Sequence, residues 1–508
     1  MAKAPRLIVV VVIDMFPAYF LTHFREQFGP GGFKRLLREG AYFASCFYPY
    51  ALTETAPAHA TLATGTTPNR HGITSNIWYN SRQGRIVQAV EDSTAPMVGG
   101  TGDLPGYSPR SLIGTTFSDE LRLGTAGQAK VFGVALKDRS AIFSTGHAAN
   151  GAYWYDRRSG KIVTSRYYRE ELPPWVATFN EKRSASSYYG KEWGAGGAVF
   201  VRLTTDSGAA DARFFDQFED TPYGNDITVE FAQELVAQEK LGDDEATDLL
   251  FIGLSANDYV GHRWGPYTPQ VADLTRRTDA LLARLLTFLD QKVGRGNYWL
   301  ALSADHGVAP TLAEDESRGV KAKNVDFDAL VKTIKEALDA RWGADDWLLP
   351  RRLYFYFNRE TLARHGVSAA EAARVAGEAA MKMDGILGYS GLAQSALDSA
   401  TAEAFRLSSY PERTRDLEII KEPYALLNGS RGGTTHGTHY SYDTHVPLMV
   451  VGSPFRPGVY WEHVSPTDLA PTLAAALGIN PPPLSSGAVL LMALRPPMSS
   501  TTPKPAAK

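Results

Sequence analysis

Two pairs of ionisable residues have the types and the spacing of metal ligands. Asp258 and His262 stand four residues apart in the segment NDYVGH, and on a helix that separation brings both side chains to one face. Asp305 and His306 are adjacent in SADHG. Carboxylate oxygens and imidazole nitrogens are ligands that suit zinc. For either pair alone, an aspartate that caps a helix or a turn is the commoner alternative.

Two further residues extend these pairs to a predicted two-metal centre. Asp14 follows the first apolar run, and His436 lies in the cluster THGTH. Each metal of a pair needs at least three protein ligands and an open position for water or substrate. The two predicted sets of three are Asp258, His262 and His436, and Asp14, Asp305 and His306. Three imidazoles among six ligands favour zinc over metals that prefer oxygen ligands alone.

The segment TETAPAHATLATG supplies a candidate nucleophile in Thr55. Pro57 is well placed in the first turn of a helix that begins near Thr55. The N-terminus of such a helix would direct free N–H groups and the positive end of the helix dipole at a bound phosphate. The alternative is that Thr55 only caps this helix.

Five apolar runs predict the strands that position these residues. Continuous aliphatic runs are typical of parallel sheets that are covered on both faces. The predicted strands are Leu7 to Ile13, Lys130 to Leu136, Asp248 to Leu254, Tyr298 to Leu302 and Val446 to Val451. The first four are followed by polar and ionisable residues, and open α/β sheets bind their ligands at the carboxyl ends of their strands.

Helical patterns alternate with these strands, which predicts a doubly wound α/β fold with a mostly parallel central sheet and helices on both faces. The clearest helix runs from Pro269 to about Asp290, with Thr268 as its N-cap. A shorter helix is predicted for Pro466 to Leu477. We expect residues 1–150, 225–310 and 430–495 to form the core. The Pro-rich tail, residues 496–508, is expected to be disordered.

Two segments interrupt the alternation and are predicted to be insertions that form a cap over the site. Residues 150–225 are rich in Tyr, Trp and Gly. Residues 310–430 contain helical patterns near Asp326 to Trp342 and Ala369 to Met383, with an aromatic strand pattern at Arg352 to Phe357. Both segments lie in the sequence between candidate site residues.

Composition narrows the class of partner. A net charge of −3 over 508 residues gives no electrostatic footprint for nucleic acid or an anionic membrane, so a small substrate is expected. The run from Leu7 to Ile13 is too short for a membrane helix and lacks the cleavage site of a signal peptide. The single cysteine, Cys46, excludes an intrachain disulfide and a cysteine-based metal cluster.

Taken together, the motifs resemble the alkaline phosphatase superfamily, and specifically its threonine-nucleophile bacterial alkaline phosphatases, the PafA or PhoK type. The matching segments run in order from Asp14 through TETAPAHATLATG, TTPNRHGITSNIWY, LKDR, NDYVGH, SADHG and THGTHYSYDTHVP. They span residues 14–447. The resemblance implies hydrolysis of phosphate monoesters in the periplasm or outside the cell, with two zinc ions per chain and additional structural calcium as an option.

The same resemblance implies roles for individual residues. Thr55 would be the nucleophile that forms a covalent phosphothreonine, and it would also reach the metal held by Asp14, Asp305 and His306. Asn76 would donate to a phosphoryl oxygen. Lys137 and Arg139, in LKDR, would contact the non-bridging oxygens, whose charge is greater in a monoester than in a diester. If the chain there is extended, both side chains point the same way; the alternative is a solvated pair that contacts Asp138.

The sequence supports three other functions less well. Nucleotide pyrophosphatases and phosphodiesterases resemble the chain in metal ligands and nucleophile but characteristically lack the Lys and Arg pair. Sulfatases carry Cys or Ser with a different following motif, whereas Pro57 is followed here by Ala58 and His59. A non-catalytic phosphate-binding protein would be expected to have lost a ligand or the nucleophile, and all of these are present.

Overall fold

A ten-stranded sheet organises the chain in the computed structural model, which describes residues 4–101, 105–349, 354–427 and 433–495. Its strands in chain order are β1 (Leu7–Ile13), β2 (Ala41–Cys46), β3 (Met97–Val98), β4 (Val131–Ala135), β5 (Gly151–Asp156), β6 (Lys161–Ser165), β7 (Asp248–Leu254), β8 (Tyr298–Ala304), β9 (Leu448–Val451) and β10 (Gly458–Val464). Across the sheet they lie in the order β10, β2, β9, β8, β1, β7, β4, β5, β6 and β3.

The sheet is mostly parallel, as the sequence predicted. β6 and β9 each pair antiparallel with both of their neighbours, so the other eight described strands run in one direction. The antiparallel course of β9 has a consequence for the site. Because β9 starts at the edge where the parallel strands end, the segment before it is brought to that edge. His436, which precedes β9, therefore lies at the same edge of the sheet as residues that follow the parallel strands.

β1 lies at the centre of the core, and all seven of its residues are buried. It pairs in parallel with β7 on one side and β8 on the other, so that Val10 lies between Phe251 and Ala301. Burying a Val, Leu or Ile side chain stabilises a fold by roughly 1.5–3 kcal/mol. This run therefore fixes the position of Asp14, which follows it directly, on a rigid element.

Helices flank the sheet. Those of eight or more residues are α1 (Thr55–Thr64), α2 (Phe117–Gly124), α3 (Asp138–Thr145), α4 (Pro174–Arg183), α5 (Ala212–Glu219), α6 (Tyr223–Gln238), α7 (Ala256–Trp264), α8 (Pro269–Leu289), α9 (Phe327–Trp342), α10 (Ala369–Ala380), α11 (Ser399–Leu407) and α12 (Leu469–Leu477). Shorter helices are Phe20–His23, Phe33–Glu39, Pro68–His71, Leu312–Ser317, Arg359–His365 and Ser441–Thr444. Within the described ranges, no helix is both long and apolar enough to cross a membrane.

The predicted helices are confirmed, with small changes at their ends. In α8 the side chain of Thr268 accepts a hydrogen bond from Val271 N, which is the predicted N-cap. Asp326 caps α9 in the same way through Ala329 N. The helix predicted from Pro466 begins as a 3₁₀ turn and becomes α-helical at Leu469.

The first predicted insertion starts later than expected. β5 and β6 lie between residues 150 and 166, yet both belong to the central sheet. The aromatic residues of GAYWYD, which suggested a cap, are instead buried core: Tyr153 and Trp154 are 0% and 2% exposed. Aromatic residues favour strands as strongly as they favour binding surfaces, so composition alone misplaced this boundary.

The second predicted insertion, residues 310–430, has its own apolar core. Residues on α9, α10 and the strand Leu417–Lys421 form it, and that strand pairs antiparallel with Ile386–Gly391. A further small pairing joins Asn324–Val325 to Leu426–Leu427. The remaining short sheets are Ile77–Asn80 with Arg85–Gln88, and Glu192–Ala195 with Ala198–Arg202.

Two predicted features fall partly or wholly outside the described ranges. Residues 352 and 353 of the predicted strand at Arg352 to Phe357 are not described, and the described part makes isolated bridges such as Phe355 with Leu417. The predicted disordered tail, residues 496–508, lies entirely outside the described residues.

Candidate active site

Thr55 is the first residue of α1, a helix in which every residue is buried. The sequence led us to expect several free N–H groups at this N-terminus, but the structure leaves fewer of them free. Ala56 N–H donates to Asn76 Oδ1 at 2.9 Å, and Pro57 has no N–H. Within the described ranges, Thr55 N–H has no acceptor. It is therefore the amide of the first turn that remains available to an incoming anion.

Asn76 is held from two sides beside Thr55. Its backbone N–H donates to Glu54 Oε2 at 2.8 Å, and its side-chain oxygen accepts from Ala56 N–H. A backbone N–H can only donate, so the side-chain atom that it contacts must be the amide oxygen of Asn76 and not the amide nitrogen. The Nδ2 group of Asn76 is thus the free end and can donate to a ligand.

An ion pair that the sequence analysis missed supports this arrangement. Glu54, the residue before Thr55, accepts hydrogen bonds from Arg415 Nη2 and, at 2.8 Å, from Ser75 Oγ. The guanidinium of Arg415 also lies over the ring of Tyr354, 4.3 Å from its centroid. Glu54 and Arg415 are 361 residues apart in the sequence, so no local pattern could have paired them. Their contact connects residues 310–430 to the start of α1.

Lys137 extends from the end of β4 into the centre of the cluster. Its Nζ atom lies 2.7 Å from Asp14 Oδ2, 2.5 Å from Asp258 Oδ2 and 3.2 Å from Thr55 Oγ1. The side chain is 1% exposed, which excludes the alternative of a solvated surface lysine. Although burial lowers the pKa of Lys137, the charges of Asp14 and Asp258 more than offset this effect and raise it. Lys137 is therefore cationic at neutral pH.

Arg139 lies in the first turn of α3, because the chain becomes helical at Asp138. The condition under which both side chains would point the same way is not met, since Lys137 is extended but Arg139 is helical. Both side chains nevertheless border one cavity of about 290 Å³, together with Tyr259 and Arg157. The guanidinium of Arg139 lies 3.8 Å from Asp138 Oδ1, and in the described part of the chain its buried Nε has no hydrogen-bond partner. It has capacity left for an anion.

The predicted metal ligands converge at the carboxyl edge of the sheet. The Nε2 atoms of His262 and His436 lie 3.2 and 3.6 Å from Asp258 Oδ1. The Nε2 atom of His306 lies 3.4 Å from Asp14 Oδ1 and 3.5 Å from Asp305 Oδ2. The imidazoles of His306 and His436 stack with centroids 3.5 Å apart. The carboxylates and imidazoles thus share one volume.

Backbone carbonyls orient the three imidazoles. The Nδ1 atoms of His262, His306 and His436 lie 2.9, 3.0 and 2.7 Å from the carbonyl oxygens of Thr434, Gly307 and Thr53, respectively. A carbonyl oxygen only accepts, so each Nδ1 carries a proton. In the neutral imidazole each Nε2 then presents its lone pair to the cluster, which is the usual arrangement of histidine ligands.

The electrostatics of the cluster favour a bound cation. Burial lowers the pKa of His306 to about 3 and that of His436 well below its usual value, so both rings are neutral. Burial, reinforced by Asp305, raises the pKa of Asp14 well above its usual value. Burial has the same tendency at Asp258, but Lys137 and His262 outweigh it and hold the pKa well below its usual value. The raised pKa of Asp14 reflects its burial beside other carboxylates, and a bound cation would stabilise its ionised form while the neutral imidazoles act as ligands.

The donor set fits two metal ions. Asp14 Oδ1, Asp258 Oδ1, Asp305 Oδ2 and His306 Nε2 are buried without a hydrogen-bond partner among the described residues. Buried polar atoms without partners are rare in folded proteins. A cation between Asp14 Oδ1 and His306 Nε2, which lie 3.4 Å apart, would give both atoms a partner.

In each of two groups of three residues, the ligand atoms all lie within 4.8 Å of one another. One of these groups is a predicted set of ligands. These groups are Asp258, His262 and His436, and Asp14, Asp258 and His306. In the second group Asp258 stands where the sequence predicted Asp305. Asp305 borders the same volume, with its Oδ1 accepting from Met15 N at 3.1 Å.

Comparison with known proteins is consistent with this geometry. The family model described as type I phosphodiesterase / nucleotide pyrophosphatase matches residues 8–441. The alkaline phosphatase PafA of Elizabethkingia meningoseptica is 33% identical over 96% of this chain and 93% of its own length. A protein of Myroides odoratus named calcium-transporting ATPase is 32% identical over 94% and 93%.

A solved structure agrees with the fold over nearly the whole chain. The crystal structure of wild-type alkaline phosphatase PafA superposes with a TM-score of 0.88 at 30% identity, covering 97% of this chain and all of that one. The shared architecture includes the large central sheet and its flanking helices.

Proposed function

The chain belongs to the type I phosphodiesterase / nucleotide pyrophosphatase family, and from that premise we propose that it is an alkaline phosphatase that hydrolyses phosphate monoesters through a phosphothreonine on Thr55. One observation carries the proposal. A buried ammonium, that of Lys137, contacts the candidate nucleophile within a cluster of carboxylates and neutral imidazoles.

Substrate binding is assigned to four groups. Lys137 and Arg139 offer cationic donors to the non-bridging phosphoryl oxygens, and Thr55 N–H and Asn76 Nδ2 offer neutral ones. A monoester dianion has three such oxygens free, so it can use more of these donors than a diester can. Hydrogen bonds between charged groups are worth roughly 1.5–3 kcal/mol each, about twice the neutral ones. The donor set therefore favours monoesters.

The reaction consists of two displacements at phosphorus. Thr55 Oγ1 loses its proton and forms a bond to phosphorus while the bond to the ester oxygen breaks and the alcohol leaves with a proton. Water then attacks the phosphothreonine and releases phosphate, which restores the hydroxyl of Thr55. One water is consumed, and one alcohol and one phosphate are formed. Lys137, 3.2 Å from Oγ1, stabilises the negative charge that develops on this oxygen.

Two zinc ions would be held by Asp258, His262 and His436, and by Asp14, Asp305 and His306 with Thr55. When bound, they supply Lewis acidity that favours the deprotonated hydroxyl and stabilises charge on the leaving oxygen. The residues themselves orient the ligand atoms, because the carbonyls of Thr53, Gly307 and Thr434 fix each imidazole. Residues 310–430 are proposed to cap this centre, in keeping with the contact between Arg415 and Glu54.

A second candidate function is the diesterase or pyrophosphatase activity that the family description names. It uses the same ligands and nucleophile. The buried position of Lys137 and the unpaired Nε of Arg139 favour the monoesterase, because a diester blocks one of the oxygens that these cations would contact.

The test is a comparison of an aryl phosphate monoester with its methyl diester on metal-loaded protein. We expect kcat/KM for the monoester to exceed that for the diester by on the order of 10² or more, since two charge-assisted contacts are at stake. Faster hydrolysis of the diester would support the second candidate instead. Failure to hydrolyse either ester would exclude both.

A further inference from the structure

A second cavity lies beside His436, between the core and residues 310–430. Its volume is about 160 Å³. Tyr354, Phe405 and Ile420 border it from the insertion, and Thr438 and Tyr440 border it from the segment before β9. A volume of about 150 Å³ is enough to hold a benzene ring. The cavity can therefore accept a ring-sized group, and its lining joins apolar side chains to the charged Glu54, Arg415, Glu418 and Lys421.

Lys421 borders this cavity with a cationic side chain that has no ion pair with the described residues. Arg415 also borders it, but its guanidinium is bound by Glu54 and Glu418. Lys421, at the end of the strand Leu417–Lys421, has no ion pair or hydrogen bond from its ammonium in the parts of the chain that the structure describes. The residue is half-buried, and burial lowers the pKa of its ammonium, although Asp443 and Glu418 oppose this effect. The ammonium is thus partly shielded from water and has no ion-pair partner among the described residues, because the carboxylates of Glu54 and Glu418 at this cavity pair with Arg415.

The position of the cavity relative to Thr55 indicates which part of a phosphate ester would lie in it. Asp258 separates two sides of the centre: its Oδ2 faces Lys137, which contacts Thr55, and its Oδ1 faces His262 and His436. In an in-line displacement the leaving oxygen lies across phosphorus from the attacking oxygen. His436 also borders the cavity, so a leaving group on the His262 and His436 side of the centre would be directed towards it.

We infer that Lys421 is a specificity-determining residue, and that the preferred substrates are phosphate monoesters whose alcohol carries a second anionic group on a ring-sized apolar body. This inference rests on the proposed function. The ring would lie among Tyr354, Phe405 and Ile420, and the anion would bind the ammonium of Lys421. A charged group that is already partly desolvated costs less to bind than one taken wholly from water, so the contact discriminates between anionic and neutral substrates.

The test pairs a change in substrate charge with a change at Lys421. Hydrolysis of 4-carboxyphenyl phosphate is compared with that of its methyl ester, on wild type and on Lys421→Met, Lys421→Arg and Lys382→Met. Lys382 is an exposed lysine of the same insertion and serves as the matched control. We expect Lys421→Met to lower kcat/KM about tenfold or more for the carboxylate and less than about twofold for the methyl ester. Lys421→Arg should retain the preference, and Lys382→Met should leave both substrates unchanged.

Equal effects of Lys421→Met on both substrates, or no effect on either, would overturn the inference. A binding measurement separates this failure from that of the proposed function. Calorimetry compares 4-phosphonobenzoate with phenylphosphonate, which require no turnover. Wild type should bind the former more tightly, and Lys421→Met should remove that difference. Absence of turnover of either ester by wild type would count against the phosphatase, while equal affinities for the two phosphonates would count against the role of Lys421.

Discussion

The Nζ atom of Lys137 lies 3.2 Å from Oγ1 of Thr55 and also contacts the carboxylates of Asp14 and Asp258. One side chain thereby connects the nucleophile to residues of both proposed metal sites. Because Lys137 is at the end of β4 and Asp14 and Asp258 follow β1 and β7, three adjacent strands determine this contact.

Replacing Thr55 by Ala should remove nearly all turnover and leave the metal content close to that of wild type. The remaining six proposed ligands still provide three per ion. Hydrolysis of an aryl phosphate and elemental analysis are the measurements, and Thr55→Ser, which keeps a hydroxyl, should retain part of the activity. Wild-type rates in Thr55→Ala would place the nucleophile elsewhere.

Chelation should abolish activity, and zinc should restore it better than magnesium. Imidazole nitrogens, of which the proposed ligand set has three, are poor ligands for magnesium, which prefers oxygen. The readout is the rate after dialysis against a chelator and re-addition of each metal, with residual metal measured by elemental analysis. Full activity in metal-free protein would contradict the two-metal assignment.

Breaking the buried ion pair between Glu54 and Arg415 should destabilise the protein and impair catalysis. Arg415→Met leaves the Glu54 carboxylate buried with one cation fewer, a change that typically costs about 3–5 kcal/mol. Thermal unfolding midpoints of Arg415→Met, Glu54→Gln and the double variant form a cycle, and the double variant should lose less than the sum of the single losses. Strict additivity would mean that the two side chains are not coupled.

Asp443 should make stability depend on pH. It is fully buried, and burial raises its pKa from 3.8 to about 7, while its Oδ2 accepts from the N–H and hydroxyl of Thr438. The folded state therefore holds a proton that the unfolded state has released, and this contribution to stability is lost as pH rises towards about 7. The substitution Asp443→Asn removes this pH dependence, because an amide does not titrate in that range.

The corresponding measurement compares the Tm of wild type and Asp443→Asn between about pH 5 and pH 8. The difference in Tm should move in favour of Asp443→Asn as pH rises, because the pH dependence of other groups cancels in the comparison. A constant difference over this range would show that Asp443 is already ionised in the folded state at about pH 5, which would contradict the raised pKa.

The sequence was sufficient to predict the elements that have a clear local hydrophobic pattern. Leu7–Ile13 and Asp248–Leu254 were predicted to the residue, since continuous aliphatic runs bounded by Arg6 or Thr247 and by polar residues admit few other interpretations. The convergence of Asp14, Asp258 and His306 followed from the rule that parallel strands end at one edge. These features depend on local sequence and a general topological rule.

Features set by long-range packing could not be predicted in this way. Glu54 and Arg415 meet only because residues 310–430 fold back on the start of α1. The antiparallel direction of β9 depends on its neighbours in the sheet and left no signal in Val446 to Val451. The strand that contains Trp154 was assigned to a cap because aromatic composition does not distinguish a core strand from a surface.

The most direct test of the account measures monoester preference when both cations are removed. The double variant Lys137→Ala with Arg139→Ala is compared with wild type on a matched aryl monoester and its methyl diester, with zinc content checked in each sample. Loss of two charge-assisted contacts should reduce the ratio of kcat/KM values by on the order of 10² or more, mainly through the monoester, and each single variant should show part of this loss. An equal fall for both substrates would contradict the account, because it would mean that Lys137 and Arg139 support the site without recognising the charge of a monoester.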